Sequence, residues 1–319
     1  MSSLRILIAE PLDFSPDALR ILETAGEVDL RHCSADDFRQ GLKEYDVCWF
    51  RLGFHVDRTM LDGDLRCRVL ATPVTGLDHI DLEACAEHGI QVLSLRGETD
   101  LLKNVRATAE LTLGLSLALL RNIPAASDSV KRGVWNRDLF RGHELFGRTA
   151  GIVGMGRLGT IVAGYFRALG MEVLGYDPRP DFPHEAARRV TTLDELLGVA
   201  DLVTLHVDYN TATRNLIGSA ELSSMKRGAV LVNTSRGGII DEMALLDALK
   251  SRRLAGAALD VLDSEPLVSD HPLIEYARQN SNLLIVPHIG GNTVESFEKT
   301  EVFLANRVIE SLRVSTGSS

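Results

Sequence analysis

Glycines at positions 154, 156 and 159 stand between an apolar run, AGIV, and a helical segment, GTIVAGYFRALG. In such a GxGxxG turn the first glycine permits the tight turn, the second lets a ligand approach the backbone, and the third packs the helix against the strand. The amino terminus of the helix then offers unpaired N–H groups and a partial positive charge to phosphate. Because this turn joins a strand to its crossover helix, the spacing predicts a parallel α/β sheet.

The next apolar run, EVLGYD, ends in Asp177, about 20 residues after the last glycine, where a dinucleotide-binding unit carries its ribose-binding acid. We therefore predict that Gly154, Gly156, Gly159 and Asp177 bind NAD. A carboxylate here accepts hydrogen bonds from the adenosine ribose and repels a 2′-phosphate, which favours NAD over NADP. Arg179 weakens that selectivity, since an arginine tolerates the additional phosphate. The alternative interpretation is a glycine turn and a helix-capping aspartate that bind no ligand.

Apolar runs rich in Val, Ile and Leu alternate with segments of helical period along most of the chain. This alternation is typical of parallel sheets with helices on both faces. A long helical run from Val105 to Leu120 separates two such series. We predict an α/β fold of two doubly wound parallel-sheet domains: a Rossmann cofactor domain over residues 98–288, and a flavodoxin-like substrate domain formed by residues 1–97 and 289–319. The final helix is expected to return to the first domain.

The composition argues against several classes of function. A chain of 319 residues is long enough for two domains, and its formal net charge of −10 opposes binding to nucleic-acid phosphates or anionic lipid. No apolar run approaches the length of a membrane span, and the first residues are typical of a strand rather than a signal peptide. We expect a cytoplasmic protein with neither a nucleic-acid nor a membrane partner.

The four cysteines, Cys33, Cys48, Cys67 and Cys85, all lie in the first third of the chain. Their spacing suits neither a paired metal site nor a small disulfide scaffold. We therefore expect reduced thiols and no bound metal.

Three loops after predicted strands carry reactive side chains: NTSRGGIID holds Arg236, ALDVLDSEPL holds Glu265, and VPHIGGNT holds His288. Each residue alone has a simpler explanation, as a surface ion-pair former, a turn acid or a structural histidine. In loops that follow successive strands of one dinucleotide fold, the three together indicate a catalytic site.

These side chains fit the reduction of a 2-oxo acid. As hydride reaches the carbonyl carbon, the carbonyl oxygen requires a proton, and histidine is the side chain best suited to supply it near neutral pH. A carboxylate such as Glu265 beside the ring favours the protonated imidazole of His288. Arg236 can bind a carboxylate through two parallel hydrogen bonds and so fix which face of the substrate meets the nicotinamide.

The order of several segments resembles the D-isomer-specific 2-hydroxyacid dehydrogenase family, and particularly its phosphoglycerate dehydrogenase-like branch. The resemblance covers nearly the whole chain and rests, in the family's order, on GLDHIDLEACAEHGIQV, RATAEL, RGVWN, FGRTAGIVGMGRLG, NTSRGGIID, GAALDVLDSEPL and PHIGGNT. It implies an NAD-dependent oxidoreductase that acts on a small D-2-hydroxy acid or 2-oxo acid. It also implies a homodimer that uses the region from RATAEL to RGVWN.

The resemblance also implies roles for individual residues. Arg236 would bind the substrate carboxylate, His288 would be the acid/base, and Glu265 would orient the histidine. Asp260 would contact the nicotinamide end of the cofactor. Further cofactor contacts are expected at Arg157, Leu158, His206, Thr234 and Gly290. Substrate-side positions are expected at Arg51, Thr75, Gly76 and Asn104.

The remaining group of the substrate is left open by the sequence. Arg51, together with Arg96, Lys103 and Arg106 near Asn104, is consistent with a phosphorylated acid such as 3-phosphoglycerate. The alternative is that the last three cations pair with neighbouring acids at the surface and contribute little.

The chain also departs from the family's usual pattern. Asp208 stands where relatives usually have a proline, and the segment RGETDLLK lengthens the loop before Asn104. Because the chain stops soon after its last helix, we expect neither the carboxyl-terminal regulatory domains of some phosphoglycerate dehydrogenases nor serine feedback.

Two other functions are known for proteins with this kind of dinucleotide fold. Formate dehydrogenases of the same superfamily need no acid/base and pair their histidine with glutamine, so Glu265 argues against that activity. An NADH-binding sensor similar to the C-terminal-binding corepressors, with weak dehydrogenase activity, is the other alternative. Turnover with a 2-oxo acid separates the dehydrogenase from the sensor.

Overall fold

The computed structural model describes residues 4–266 and 268–316, and it divides the chain into two compact units. The first unit comprises residues 1–105 and 293–319, and the second comprises residues 106–292. The division therefore lies a few residues after each boundary expected from the sequence. Asn104 belongs to the first unit for this reason, and Gly290 belongs to the second because its backbone nitrogen binds Asp260.

The first unit is built on a five-stranded parallel sheet in the order β2-β1-β3-β4-β5. This is the flavodoxin-like strand order that the sequence analysis predicts. The strands are β1 (Leu4–Ile8), β2 (Gly26–Leu30), β3 (Val47–Trp49), β4 (Val69–Ala71) and β5 (Gln91–Leu93).

The second unit is built on a seven-stranded parallel sheet in the order β12-β11-β10-β9-β6-β7-β8. Chain order reverses between β6 and β9, which is the Rossmann arrangement, and a ligand binds beyond the carboxyl ends of the strands at that point. The strands are β6 (Thr149–Val153), β7 (Glu172–Tyr176), β8 (Arg188–Arg189), β9 (Leu202–Leu205), β10 (Val230–Asn233), β11 (Gly256–Leu259) and β12 (Leu283–Ile285).

Helices connect most of the strands in both units, as is usual in parallel sheets, whereas the described segments 50–68 and 177–187 join their strands without a helix. The sequence places recognisable signals at their first residues, for example Ser34, whose hydroxyl accepts from the backbone of Asp37 while the Asp37 carboxylate accepts from Ser34. The helices are α1 (Pro16–Glu23), α2 (Ala35–Glu44), α3 (Leu82–Glu87), α4 (Thr99–Leu102), α5 (Ala107–Leu120), α6 (Ile123–Lys131), α7 (Arg157–Ala168), α8 (Leu193–Val199), α9 (Ser219–Ser224), α10 (Glu242–Lys250), α11 (Pro272–Gln279) and α12 (Val294–Thr316).

Helix α12 packs against α1 in the first unit. Its Leu304, Ala305 and Val308 are buried in one hydrophobic cluster with Ile6 and Ile8 of β1. In this structure the final helix therefore lies in the first unit. The long helix expected after Val105 is α5, which packs on α7 and on the sheet of the second unit.

Among the described residues, none of the helices combines the length and the apolar character needed to cross a membrane. In the same part of the chain, we find no group of three His, Cys, Asp or Glu side chains placed to hold a metal ion.

Candidate active site

The candidate active site lies at the carboxyl ends of three neighbouring strands of the second unit. Arg236 follows β10, Glu265 follows β11 and His288 follows β12, and these strands pair in the order β12-β11-β10. Because parallel strands end at the same edge of a sheet, the three loops lie along one edge.

The structure brings His288 and Glu265 together. The Nδ1 atom of His288 lies 2.6 Å from a carboxylate oxygen of Glu265, within hydrogen-bond distance, and both side chains are partly buried. In this arrangement the Glu265 carboxylate accepts a hydrogen bond from the Nδ1–H group, which leaves Nε2 as the nitrogen that exchanges a proton with a substrate. The pair therefore has the geometry of an oriented acid/base.

Asp260 holds the backbone around His288. Its backbone oxygen accepts from the His288 nitrogen at 2.8 Å, and its two carboxylate oxygens accept from Ile289 at 2.6 Å and Gly290 at 2.9 Å. His288 has a left-handed backbone with φ of 52°, which is unfavourable for a residue with a side chain. Burial raises the pKa of Asp260 to about 6, against the opposing effect of the backbone hydrogen bonds.

The loop after β10 orients Arg236 through its backbone. The side-chain amide of Asn233 donates to the Arg236 backbone oxygen at 2.8 Å, and an Arg236 guanidinium nitrogen donates to the Ser235 backbone oxygen at 2.9 Å. Thr234 is buried, and its hydroxyl lies 2.9 Å from that of Thr112 on α5. Arg236 lies three residues after the end of β10 and is half-buried.

The glycine turn has the shape that a dinucleotide needs. Gly154 has a φ of 91°, and a Cβ atom there would lie 2.6 Å from the backbone oxygen of His206. A Cβ atom on Gly159 would lie 2.0 Å from the backbone oxygen of Gly154. Among the described residues, such an atom on Gly156 would meet the Arg179 guanidinium at 3.6 Å, an ordinary van der Waals contact, so no backbone atom crowds this position. Arg157 and Leu158 then begin α7, whose amino terminus carries the partial positive charge of the helix dipole towards a phosphate.

Asp177 lies at the end of β7 and binds the same turn. The side chain of Asp177 is 6% exposed, and one of its oxygens accepts from the Met155 backbone nitrogen at 2.9 Å. The hydrogen bonds from the Arg179 side chain are the largest cause that lowers the pKa of Asp177, to about 2, against the opposing effect of burial. The acid is therefore ionised at neutral pH.

His206 lies directly after β9, opposite the glycine turn. Its Nε2 atom lies 3.1 Å from the Thr204 hydroxyl, and burial lowers the pKa of the imidazole to about 4. Its Nδ1 atom is buried and has no hydrogen-bond partner among the described residues. A neutral ring with an unused nitrogen beside an open glycine turn fits a polar cofactor group. Together with Asp177 and the α7 amino terminus, these observations show that the residues present fit NAD.

The substrate-side positions expected from the resemblance lie in the first unit. The guanidinium of Arg51 binds the buried Glu301 carboxylate at 2.7 Å and the Leu12 backbone oxygen at 2.8 Å, and it lies over the Phe297 ring. Its charge is thus compensated within the unit. Thr75 and Gly76 follow β4, with Thr75 exposed.

The cations of the lengthened loop are arranged as surface residues. Asn104 is exposed after α4, and its backbone oxygen accepts from Lys299 at 3.2 Å. Lys103 pairs with Asp100 at 2.7 Å on the surface. For Lys103, this is the alternative arrangement in which the cation pairs with a neighbouring acid.

Two relationships at these sites were missed by the sequence analysis. Glu301 is fully buried on α12, and the available signal was its spacing of three, four and seven residues from the apolar Leu304, Ala305 and Val308, which places it on the buried face. The Asp260 carboxylate accepts two hydrogen bonds from the backbone of the loop that carries His288. These hydrogen bonds had no signal in the local sequence, because they join residues that follow different strands.

The NAD-binding domain model of the D-isomer specific 2-hydroxyacid dehydrogenases matches residues 113–290. The chain is 38% identical over 315 residues to D-3-phosphoglycerate dehydrogenase of Methanocaldococcus jannaschii, covering 97% of this chain and 57% of the relative. The chain thus spans little more than half the length of that relative. It is 32% identical over 320 residues to hydroxypyruvate reductase of Thermotoga maritima, covering 98% of this chain and all of the relative.

Among solved structures, D-lactate dehydrogenase from Aquifex aeolicus, complexed with NAD and lactic acid, superimposes with a TM-score of 0.84. The two chains are 27% identical, and the match covers 98% of this chain and 96% of that one. The chain therefore belongs to the D-isomer specific 2-hydroxyacid dehydrogenase family, and residues 113–290 match its NAD-binding domain.

Proposed function

We propose that this chain is an NAD-dependent dehydrogenase that interconverts a small D-2-hydroxy acid and its 2-oxo acid. The contact of 2.6 Å between His288 and Glu265 is the observation that carries the proposal. A histidine held by a carboxylate at the carboxyl edge of a Rossmann sheet supplies the proton that reduction of a carbonyl requires.

Bound NADH supplies the hydride, and the residues of this chain supply the proton and the orientation. In the direction of reduction, His288 Nε2 donates its proton to the carbonyl oxygen, and in the direction of oxidation it accepts the hydroxyl proton. Glu265 holds the ring through its hydrogen bond with Nδ1. Arg236 binds the carboxylate of the acid, and its planar guanidinium fixes the face that is presented. Asp260 holds the left-handed backbone of His288.

For the substrate, we propose an unbranched small acid, with 3-phosphoglycerate as one member of the group to be tested. The relatives are named for phosphoglycerate, hydroxypyruvate and lactate, which share the 2-hydroxy or 2-oxo acid unit. Compensation of Arg51 by Glu301 reduces the support for a phosphate site at that residue. Comparing 3-phosphoglycerate with D-glycerate in wild type and Arg51→Ala, at low and high salt, tests this point.

The activity is tested with a panel of 2-oxo acids and NADH, followed by nicotinamide absorbance. We expect turnover with at least one acid, and a large loss in Glu265→Gln without loss of NADH binding. If no acid is reduced by a protein that binds NADH, the dehydrogenase proposal is wrong and the sensor alternative takes its place.

We also propose a homodimer in the cytoplasm. Large apolar side chains are exposed along residues 123–146 of the second unit, including Trp135 at 88% and Phe146 at 76%. An apolar surface of this kind is typical of a protein–protein contact. Light scattering should give twice the chain mass for wild type and for Leu12→Lys, an exposed control in the first unit, and a smaller mass for Trp135→Lys. A monomeric wild type contradicts the proposal.

The free cysteines fit a reducing compartment, which supports the proposal of a cytoplasmic protein.

A further inference from the structure

Arg179 occupies most of the hydrogen-bonding capacity of Asp177. Its backbone nitrogen and Nε each donate to Oδ1 at 3.0 Å, and its Nη2 donates to Oδ2 at 2.8 Å. The Met155 backbone nitrogen donates to Oδ2 at 2.9 Å. Because a carboxylate offers about four lone-pair positions, this acid has none left for a ribose diol unless a donor leaves. The side chain of Arg179 is the donor that can leave, since it is 54% exposed.

The guanidinium also lies beside the phosphate-binding turn. Its Nη2 atom lies 3.6 Å from the position of a Cβ atom on Gly156, where α7 begins. The backbone from Asp177 to Arg179 is held by Arg189 on β8. The Arg189 guanidinium donates to the backbone oxygens of Asp177 at 3.0 Å and Arg179 at 2.7 Å. The segment is thus held in place while the Arg179 side chain remains accessible.

The electrostatic argument for rejecting a 2′-phosphate depends on an uncompensated acid at the end of β7. Here the acid is paired through two side-chain bonds, which neutralise it at short range. Asp181 and Asp208 also act on Arg179, but both are exposed, and water and salt screen their charges. A dianionic phosphate therefore meets a half-exposed guanidinium rather than a bare carboxylate.

We propose that Arg179 is a cofactor-selecting residue, and that this chain binds the 2′-phosphorylated dinucleotide NADP(H) as well as NAD(H). When NADP(H) binds, the Arg179 guanidinium leaves Asp177 and binds the 2′-phosphate. When NAD(H) binds, the guanidinium moves aside so that Asp177 accepts hydrogen bonds from the ribose hydroxyls. Asp177 keeps its bond to Met155 in both cases, so the glycine turn is held. This binding takes place at the dinucleotide site of the proposed function and rests on it.

The test measures binding of two fragments to the full chain by titration calorimetry. Adenosine 2′,5′-bisphosphate and adenosine 5′-phosphate differ only in the 2′-phosphate. For wild type we expect dissociation constants within about tenfold of each other, where an uncompensated acid would give a larger gap. Arg179→Ala should weaken the bisphosphate relative to the monophosphate by about 10- to 100-fold, the effect of a lost charge-assisted hydrogen bond. Arg179→Lys should restore part of that loss.

Two further variants remove alternative explanations. Arg188→Ala removes an exposed arginine that pairs with Glu172 and should leave the ratio of the two constants unchanged. Asp177→Asn removes the acid but keeps Arg179, and it should lower the dissociation constant of the bisphosphate. Arg179→Ala could weaken the bisphosphate either by removing its contact with arginine or by exposing the charge of Asp177, and the two variants together separate these causes. NADPH and NADH titrated by fluorescence should follow the same order.

Two results would overturn the inference. The first is a wild-type dissociation constant for the bisphosphate that exceeds that for the monophosphate by more than about tenfold. The second is a change of less than about fivefold in the ratio of the two dissociation constants on Arg179→Ala. Neither result depends on turnover. A protein that shows the expected ratio but reduces no 2-oxo acid contradicts the proposed function alone.

Discussion

The Oδ1 atom of Asp260 lies 2.6 Å from the backbone nitrogen of Ile289 and accepts its hydrogen bond. Asp260 comes directly after β11, and Ile289 lies in the loop after β12 and follows His288. The buried acid that follows β11 therefore fixes the conformation of the histidine that follows the adjacent strand β12. The left-handed backbone of His288 persists because this contact and the Gly290 contact hold the residues after it.

We predict that Asp260→Asn lowers kcat about 10- to 100-fold, because an amide nitrogen replaces one of the two acceptors and the His288 loop loses a bond. The free energy of unfolding should fall by about 1–3 kcal/mol, since a buried N–H group is left unsatisfied. Steady-state kinetics and urea unfolding measure the two effects. Asp270→Asn, at an exposed position, is the matched control. An unchanged kcat in Asp260→Asn removes its positioning role.

His288→Asn should lower turnover by about 10² to 10⁴-fold, the usual contribution of general acid–base catalysis. NADH binding, measured by fluorescence titration, should stay nearly intact, because the loss falls on proton transfer. Near-normal turnover in this variant would show that the assigned mechanism is wrong.

Arg236→Lys should raise KM for the acid and lower kcat, because a lysine cannot make two parallel hydrogen bonds to a carboxylate. A loss of about tenfold or more in kcat/KM is expected, equivalent to roughly 1.4 kcal/mol. Arg278→Lys changes an exposed arginine on α11 in the same unit and serves as the control. Equal kinetics in the two variants would contradict the role given to Arg236.

Glu301→Ala should cost about 3–5 kcal/mol in the free energy of unfolding, because it leaves the Arg51 guanidinium, whose side chain is only 15% exposed, without its buried partner. Urea unfolding measures this cost, and Glu298→Ala, at an exposed position of α12, is the control. In a double-mutant cycle, Arg51→Ala should recover part of the loss. A cost close to that of the control would mean that the pair contributes little.

The Asp177 and Arg179 pair should appear in the acid stability of the protein. The folded pKa of Asp177, about 2, lies below the usual value, so its contribution to stability is present above pH of about 4 and is lost as the pH falls towards 2. Arg179→Ala should lower Tm at neutral pH, and the difference from wild type should shrink across that range. A difference that stays constant with pH would contradict this linkage, and Arg188→Ala should show no such change.

The sequence was informative where local chemistry requires particular residues. The glycine turn with Asp177 follows from close backbone approach, and the loops of Arg236, Glu265 and His288 follow from the strands that precede them. Apolar runs identified the central strands because both faces of those strands are buried. The edge strands β2 and β8 lack such runs, since half-exposed positions need no apolar residue, and they had no clear signal.

Pairings between distant residues could not be predicted in the same way. The hydrogen bond between Arg51 and Glu301 joins positions 250 residues apart, and nothing in the sequence near either residue shows that the two side chains meet. The sequence placed Arg179 near Asp177 but did not show that its side chain binds both oxygens of the acid. Such contacts depend on the side-chain rotamer and on burial, and neither can be predicted from one sequence alone.

The position of α12 sets the order in which the units are completed as the chain is synthesised. Residues 106–292 form the second unit from one continuous stretch, so that stretch has been made before α12 emerges from the ribosome. The first sheet begins earlier but lacks Leu304, Ala305 and Val308 until residues 106–292 have been translated. The unit that is started first is therefore finished last. A nascent chain that stops before residue 294 leaves the α12-facing side of Ile6 and Ile8 without its cover, and such chains are the ones on which a chaperone would act.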